Sequence, residues 1–283
     1  MAADLIGDLS GRPRVQPGDE VDLPDSSLLL VPSQVDERGH GSAQGRRVLA
    51  PGRVTYRDFT GDKRTASLED VDAHDVASGL PIRKSNAHRR QLSMTGERWA
   101  ETAAGFVPFE SLNERRFIVA ADFDPKVVRI TAQPFRFHLG HKTPPHVPDF
   151  MTLRADGSVR IVNVKPLELY DDDERDRLMD FARALNAKGW GYAIWHDLPD
   201  TVTANLDWLS RMNVPGSAHP AALAAAERLW DFDSYGSLER KVAAVVPGVF
   251  VRPAIDRLIW SHHFSIDLSR DLDVDTPLMR VAK

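Results

Sequence analysis

The chain has no cysteine. Disulfides and thiolate-held metals are excluded, and a reducing compartment is compatible with that composition. Long hydrophobic runs are missing as well, so no segment is expected to cross a membrane. The opening residues, MAADLIGDLSGRPRV, have no basic start followed by an apolar block. No secretory signal is expected there, and the expected location is cytoplasmic. An excess of positive charge is absent too, the net charge being -5. Nucleic-acid binders are usually basic, so any DNA contact must come from local patches or from partner proteins. There is no P-loop, no GxGxxG after a strand and no GxSxG. No internal repeat is present.

What is there suffices for a sizeable core. The 283 residues are 42% hydrophobic, which suggests one large or two smaller domains. Residues 1–47 are rich in Gly, Pro, Asp and Ser and read as weakly ordered. Their one apolar run, Leu28 to Val31, reads as an edge strand or a docking segment. Residues 48–108 read as an extension with small elements. Val54 and Tyr56 alternate with polar neighbours, predicting a strand. Ser67 as N-cap, Asp70 three positions on and Gly79 as stop predict a helix over 68–78. Arg83, Lys84, Arg89 and Arg90 form the most basic cluster, suited to phosphate contact by counterion release. A solvated surface segment has the same composition. Trp99 is expected in a loop as a packing anchor.

In the stretch from Phe109 to Pro166 three charged residues stand out beside core-like sequence: Glu114, Asp149 and Lys165. Apolar residues at helical spacing predict a helix over 109–123, with Glu110 in its first turn and Glu114 in its second. Asp124-Pro125 ends it. KVVRITAQPFRFHL reads as a strand interrupted near Gln133-Pro134. HVPDFMTLRADGSVRIVNVKP reads as a hairpin turning at Asp156-Gly157. Alternation puts Val147, Asp149, Met151 and Leu153 on one face of its first strand. In the second strand Val159, Ile161, Asn163 and Lys165 share a face. An amphipathic helix follows, its stripe made by Leu178, Phe181, Ala182 and Leu185, and Gly189 stops it. WGYAIW reads as a strand that can run parallel to Val159–Lys165. A helix is expected from Thr201 to Met212.

VPGSAHP separates residues 213–283 from the preceding 109–212. Three helices, with Pro253 at the start of the last, and two short strands suggest a winged-helix-like module.

Phosphodiester hydrolysis needs an activated water and a sink for charge on the phosphate. Mg²⁺ supplies both, and it prefers a few carboxylate oxygens with open water positions. A helix acid, a hairpin acid and a hairpin lysine in this order fit that need. Taken singly, each has an ordinary structural reading, such as a strand-end lysine reaching solvent.

The segments FESLNERRFIVAADFDPKV, AQPFRF, HVPDF and VNVKP, in order, resemble the PD-(D/E)xK nuclease fold. They resemble most specifically the TnsA-like endonuclease subunit of heteromeric transposases. The resemblance continues through LELYDDDERDRL and WGYAIWHDLPDTVTANLDWL, and covers roughly residues 50 to 212. VTYRDFTGDKR and MTGERWAET resemble the leader of an actinobacterial branch. The implied fold is α/β: a restriction-endonuclease-like mixed sheet flanked by helices, with the small C-terminal module.

The implied activity is metal-dependent DNA cleavage of one strand at transposon ends, using Mg²⁺ or Mn²⁺. A DDE-type transposase subunit cuts the other strand, and an ATPase regulator contacts the complex. By position, Glu114, Asp149 and Lys165 match the catalytic triad; Glu110 is a nearby alternative acid, but the family's spacing to the FDP turn favours Glu114. Glu114 and Asp149 would hold metal, with Asn163 and the Val164 carbonyl as further ligands. His146 is a candidate DNA contact or second-sphere group. Asn163 departs from the pattern, which has Asp, Glu or Gln there. A neutral Asn is a poorer ligand, so a binding subunit with weak cleavage is the alternative. His138 with His141, and His262 with His263, have spacings that also occur in zinc sites; loop or surface roles are the ordinary reading. Arg252, Arg257 and Arg270 are candidate partner or DNA contacts.

Overall fold

A computed structural model describes residues 28–30, 52–83, 94–140, 144–165 and 172–281. The protein is mixed α/β. Its centre is a five-stranded sheet in the order β1 (Leu28–Leu30), β10 (Gly191–Trp195), β9 (Val159–Val164), β8 (Phe150–Arg154), β6 (Val127–Ala132). β9 and β10 run parallel and the other neighbours are antiparallel. The apolar run at Leu28 thus forms an edge strand.

The alternation expected in the hairpin determines the two faces of this sheet. Met151, Leu153, Val159 and Ile161 point into one core; Phe150, Val162 and Val164 point into the other. The first core is covered by α3 (Asp172–Ala187), through Leu178, Phe181, Ala182 and Leu185, all buried. It is closed by a three-stranded sheet of β3 (Lys63–Ser67), β2 (Arg53–Arg57) and β7 (Phe135–His138). α2 (Leu112–Phe123) and α4 (Asp200–Leu209) contribute to the second core. Phe117 lies against Phe150 with ring centroids 4.8 Å apart.

That second core does not stop at residue 213. It runs without a break into α5 (Pro220–Leu229), α6 (Tyr235–Val245) and α7 (Arg252–Trp260). Two short strands, β11 (Phe264–Ser265) and β12 (Met279–Arg280), pair antiparallel after them. Arg257 donates from both guanidinium nitrogens to the Glu101 carboxylate at 3.0 and 2.7 Å, tying α7 to the loop after β4 (Gly96–Ala100). β4 pairs with β5 (Gly105–Phe109).

Several local expectations are corrected. Trp99 lies in β4, not in a loop, and meets Phe106 edge-on across the hairpin. The helix expected over 68–78 is only α1 (Ala73–Ala77), because Asp72 caps it, accepting from the N–H groups of His74 and Asp75. Ser67 and Asp70 do bond each other, but in the turn before it. Phe109 belongs to β5 and Glu110 precedes the cap Ser111, so neither lies in α2. The helix from Thr201 starts one residue earlier and tightens into a 3-10 turn over Ser210–Met212. The interrupted strand is two strands in different sheets. Gln133 takes φ of 44°, a left-handed conformation that ends β6 and redirects the chain into β7.

Candidate active site

The acids and the lysine meet at one end of the central sheet, each delivered by a different device. Glu114 is the third residue of α2. Ser111 caps the helix by accepting from the Glu114 N–H at 3.1 Å. Glu114 folds back, and its Oε2 accepts from the Glu110 N–H at 2.7 Å. This S-x-x-E arrangement is a variant of the capping box, reaching one residue further back than usual. It fixes the carboxylate beside the helix start.

Asp149 immediately precedes β8. Its Oδ2 accepts the main-chain N–H of Val164 at 2.7 Å, and its own carbonyl accepts from Gln133 N–H at 2.7 Å. The sequence explains why the ladder ends here. The β8–β9 register pairs Phe150 with Val162; two residues back, Pro148 comes opposite Val164. Proline has no N–H, so it cannot donate to the Val164 carbonyl and the ladder cannot continue there.

Lys165 follows β9 directly. Its N–H donates to the Trp195 carbonyl, and its ammonium donates to Glu174 Oε2 on α3 at 2.7 Å. Arg83 pairs with Glu110 at the same distance.

Burial pushes the Glu114 carboxyl up to about 7, and the charge on Asp149 adds to it. Burial likewise pushes Asp149 up to about 6, while the Val164 N–H and the charges of Arg83 and Lys165 pull the other way. Two carboxyls with raised proton affinity, set beside Arg83 and Lys165, mark a candidate functional site.

Asn163 is buried, and its Oδ1 lies 3.2 Å from His146 Nε2. With that nitrogen protonated, the ring donates to the amide oxygen. His146 is half-buried, stacks on Phe181 and is bridged by its main chain to Phe137. Burial lowers its proton affinity. It sits beside Asn163 at the edge of the site.

Of the basic cluster, Arg83 reaches the site; Lys84, Arg89 and Arg90 lie outside the described residues. Among the described residues, no group of three or more His, Cys, Asp or Glu is arranged to hold a metal ion. A cation between Glu114 and Asp149 would therefore need neutral oxygens and water for its remaining ligands. His262 is buried, with Nε2 2.7 Å from the Phe123 carbonyl, and His263 faces Glu227. His138 sits on β7, and His141 lies outside the described residues. Arg252 pairs with Glu239 and Arg257 with Glu101.

Sequence reasoning missed Glu174 and the Arg83–Glu110 pair. Glu174 is one acid in an acidic run, and only packing of α3 against the sheet selects it. Against known proteins, no family model matches the chain and no curated protein matches it. Among the described residues no helix is long and apolar enough to cross a membrane.

Proposed function

We propose that the protein is a metal-dependent DNA endonuclease with a restriction-endonuclease-like core, acting as a TnsA-like subunit of a heteromeric transposase. The observation that carries this reading is the convergence of Glu114, Asp149 and Lys165 at one sheet end, with both acids shifted up by burial. The mixed sheet with helices on both faces agrees with that architecture.

The residues fit a hard divalent cation. Glu114 and Asp149 offer anionic oxygens in a desolvated setting, and Pro148 cannot supply the Val164 carbonyl with a ladder donor. Glu114, Asp149 and the Val164 carbonyl would hold Mg²⁺ or Mn²⁺, with water completing the shell. Such an ion lowers the pKa of bound water and neutralises charge building on a phosphate.

The chain's own groups do the rest. Lys165, oriented by Glu174, places a positive charge beside the carboxylates, where it can orient the attacking water and stabilise developing charge. The Val164 N–H holds Asp149 in one orientation, and Ser111 with the Glu110 N–H does the same for Glu114. Substrate would be DNA at transposon ends, with a DDE-type transposase subunit and an ATPase regulator as partners.

The test is strand nicking of transposon-end DNA with Mg²⁺ or Mn²⁺ and the partner transposase. Wild type should nick, and Asp149→Ala and Lys165→Ala should lose about 100-fold or more in rate. Equal nicking by all three would remove the catalytic assignment. A second reading, a binding subunit with weak cleavage, has one observation in its favour. The Asn163 amide oxygen is engaged by His146 and carries no charge. Assembly of the complex without nicking by wild type would favour it.

A further inference from the structure

The Arg83–Glu110 pair stands beside the acids and has no part in the reaction set out above. The main chain brings Arg83 there. Ile82 N–H donates to the Gln133 carbonyl at 2.9 Å, and Gln133 N–H donates to the Asp149 carbonyl at 2.7 Å. A single residue in a left-handed conformation thus joins the Arg83 segment to the Asp149 strand. Two cations act on Asp149, namely Arg83 and Lys165. Each is held at 2.7 Å by an acid outside the Glu114–Asp149 pair: Arg83 by Glu110, Lys165 by Glu174.

The two members of the first pair differ in freedom. The Arg83 side chain is 45% exposed and Glu110 26%. Glu110 is further tied down, because its N–H is committed to Glu114. An ion pair this open to solvent is weak. A phosphate offers a guanidinium two parallel, charge-assisted hydrogen bonds. Exchange of Glu110 for a phosphate is therefore favoured when one arrives beside Asp149.

We propose that Arg83 leaves Glu110 to grip the phosphate under attack, as a further catalytic residue, and that Glu110 holds it in the free protein. This rests on the nuclease reading and goes beyond a general backbone contact. A cation gripping the reacting phosphate stabilises charge in the transition state, so it acts on rate as well as affinity.

The experiment uses the full chain, the partner transposase and a transposon-end duplex. Single-turnover nicking in Mg²⁺ at saturating DNA is compared for wild type, Arg83→Ala, Arg83→Lys, Glu110→Gln and the Arg83→Ala/Glu110→Gln pair. Duplex affinity is measured with Ca²⁺ in place of Mg²⁺ over a range of salt, and thermal melting confirms folding. Arg83→Ala should nick about tenfold or more slowly at saturating DNA, and Arg83→Lys should recover part of the rate. The salt slope of log K should fall by about one in Arg83→Ala. Glu110→Gln should bind the duplex more tightly.

The double variant should stay slow. Its return to the wild-type rate would mean that Arg83 only cancels the Glu110 charge, and would overturn the proposal. So would an unchanged rate in Arg83→Ala. If wild type binds the duplex but never nicks, the nuclease reading fails by itself. The salt slope and the Glu110→Gln affinity then decide whether Arg83 takes a phosphate.

Discussion

The main-chain N–H of Val164 donates to Asp149 Oδ2 at 2.7 Å, opposite a proline. That contact ends the β-ladder on a carboxylate in place of a main-chain acceptor. A backbone donor is satisfied by a carboxylate, and Pro148 cannot supply the facing carbonyl with a partner. Pro148→Ala introduces an N–H able to bond the Val164 carbonyl and continue the ladder. The expected outcome is unchanged or slightly raised thermal stability. The Mg²⁺ concentration needed for half-maximal nicking should rise severalfold. A wild-type metal requirement would show that this carbonyl takes no part.

The carboxyl shifts set a pH dependence. Glu114 rises from 4.5 to about 7 and Asp149 from 3.8 to about 6. Both bind protons more tightly in the folded protein than in the unfolded chain. Their contribution to stability is therefore fully present below about pH 4 and is lost as pH rises to about 7. Thermal melts without metal should show this fall in wild type, and a shallower one in Glu114→Gln/Asp149→Asn. Added Mg²⁺ should stabilise more at pH 8 than at pH 6, since both protons must leave first. Identical pH profiles for wild type and the double variant would contradict the assignment.

Asn163 is a neutral residue immediately before Val164, whose N–H holds Asp149. Asn163→Asp keeps the shape and the His146 contact and adds a charge. Metal-free protein should be destabilised at neutral pH, because a third carboxylate joins a desolvated pair. Mg²⁺ should more than offset this, and half-maximal nicking should need several times less metal. Isothermal titration with Mg²⁺ checks the affinity directly, and unchanged binding would place Asn163 outside the metal's reach.

Gly79 illustrates a purely structural demand. A Cβ built there would lie 2.1 Å from the Arg57 carbonyl oxygen, which also accepts the Leu80 N–H. Gly79→Ala must push α1 away from β2. The loss should be about 1–3 kcal/mol in chemical denaturation, as for other overpacked sites. Nicking per folded molecule should be unaffected. A variant as stable as wild type would mean that the two segments part easily.

Much of the fold was legible because burial on one face imposes a period. α3 shows its stripe at Leu178, Phe181, Ala182 and Leu185, and the hairpin shows its turn at Asp156-Gly157. The same alternation puts Asn163 and Lys165 on one face of their strand. Glu114 is the acid of S-x-x-E, a local signal that sets it in the first turn of a helix capped by Ser111 rather than in the second turn of one starting at 109. Encounters between elements were not legible. Arg83 and Glu110 are 27 residues apart and meet where the Gln133 main chain ties the Arg83 segment to the Asp149 strand. Glu174 is one acid among several until α3 docks. The boundary drawn at residue 213 is marked by Pro and Gly, yet the apolar core runs through it. By itself, the sequence determined which residues line each element, since that follows from local periodicity. Tertiary structure alone decided which charges face one another and how far each is desolvated, because both depend on packing between segments distant in the chain.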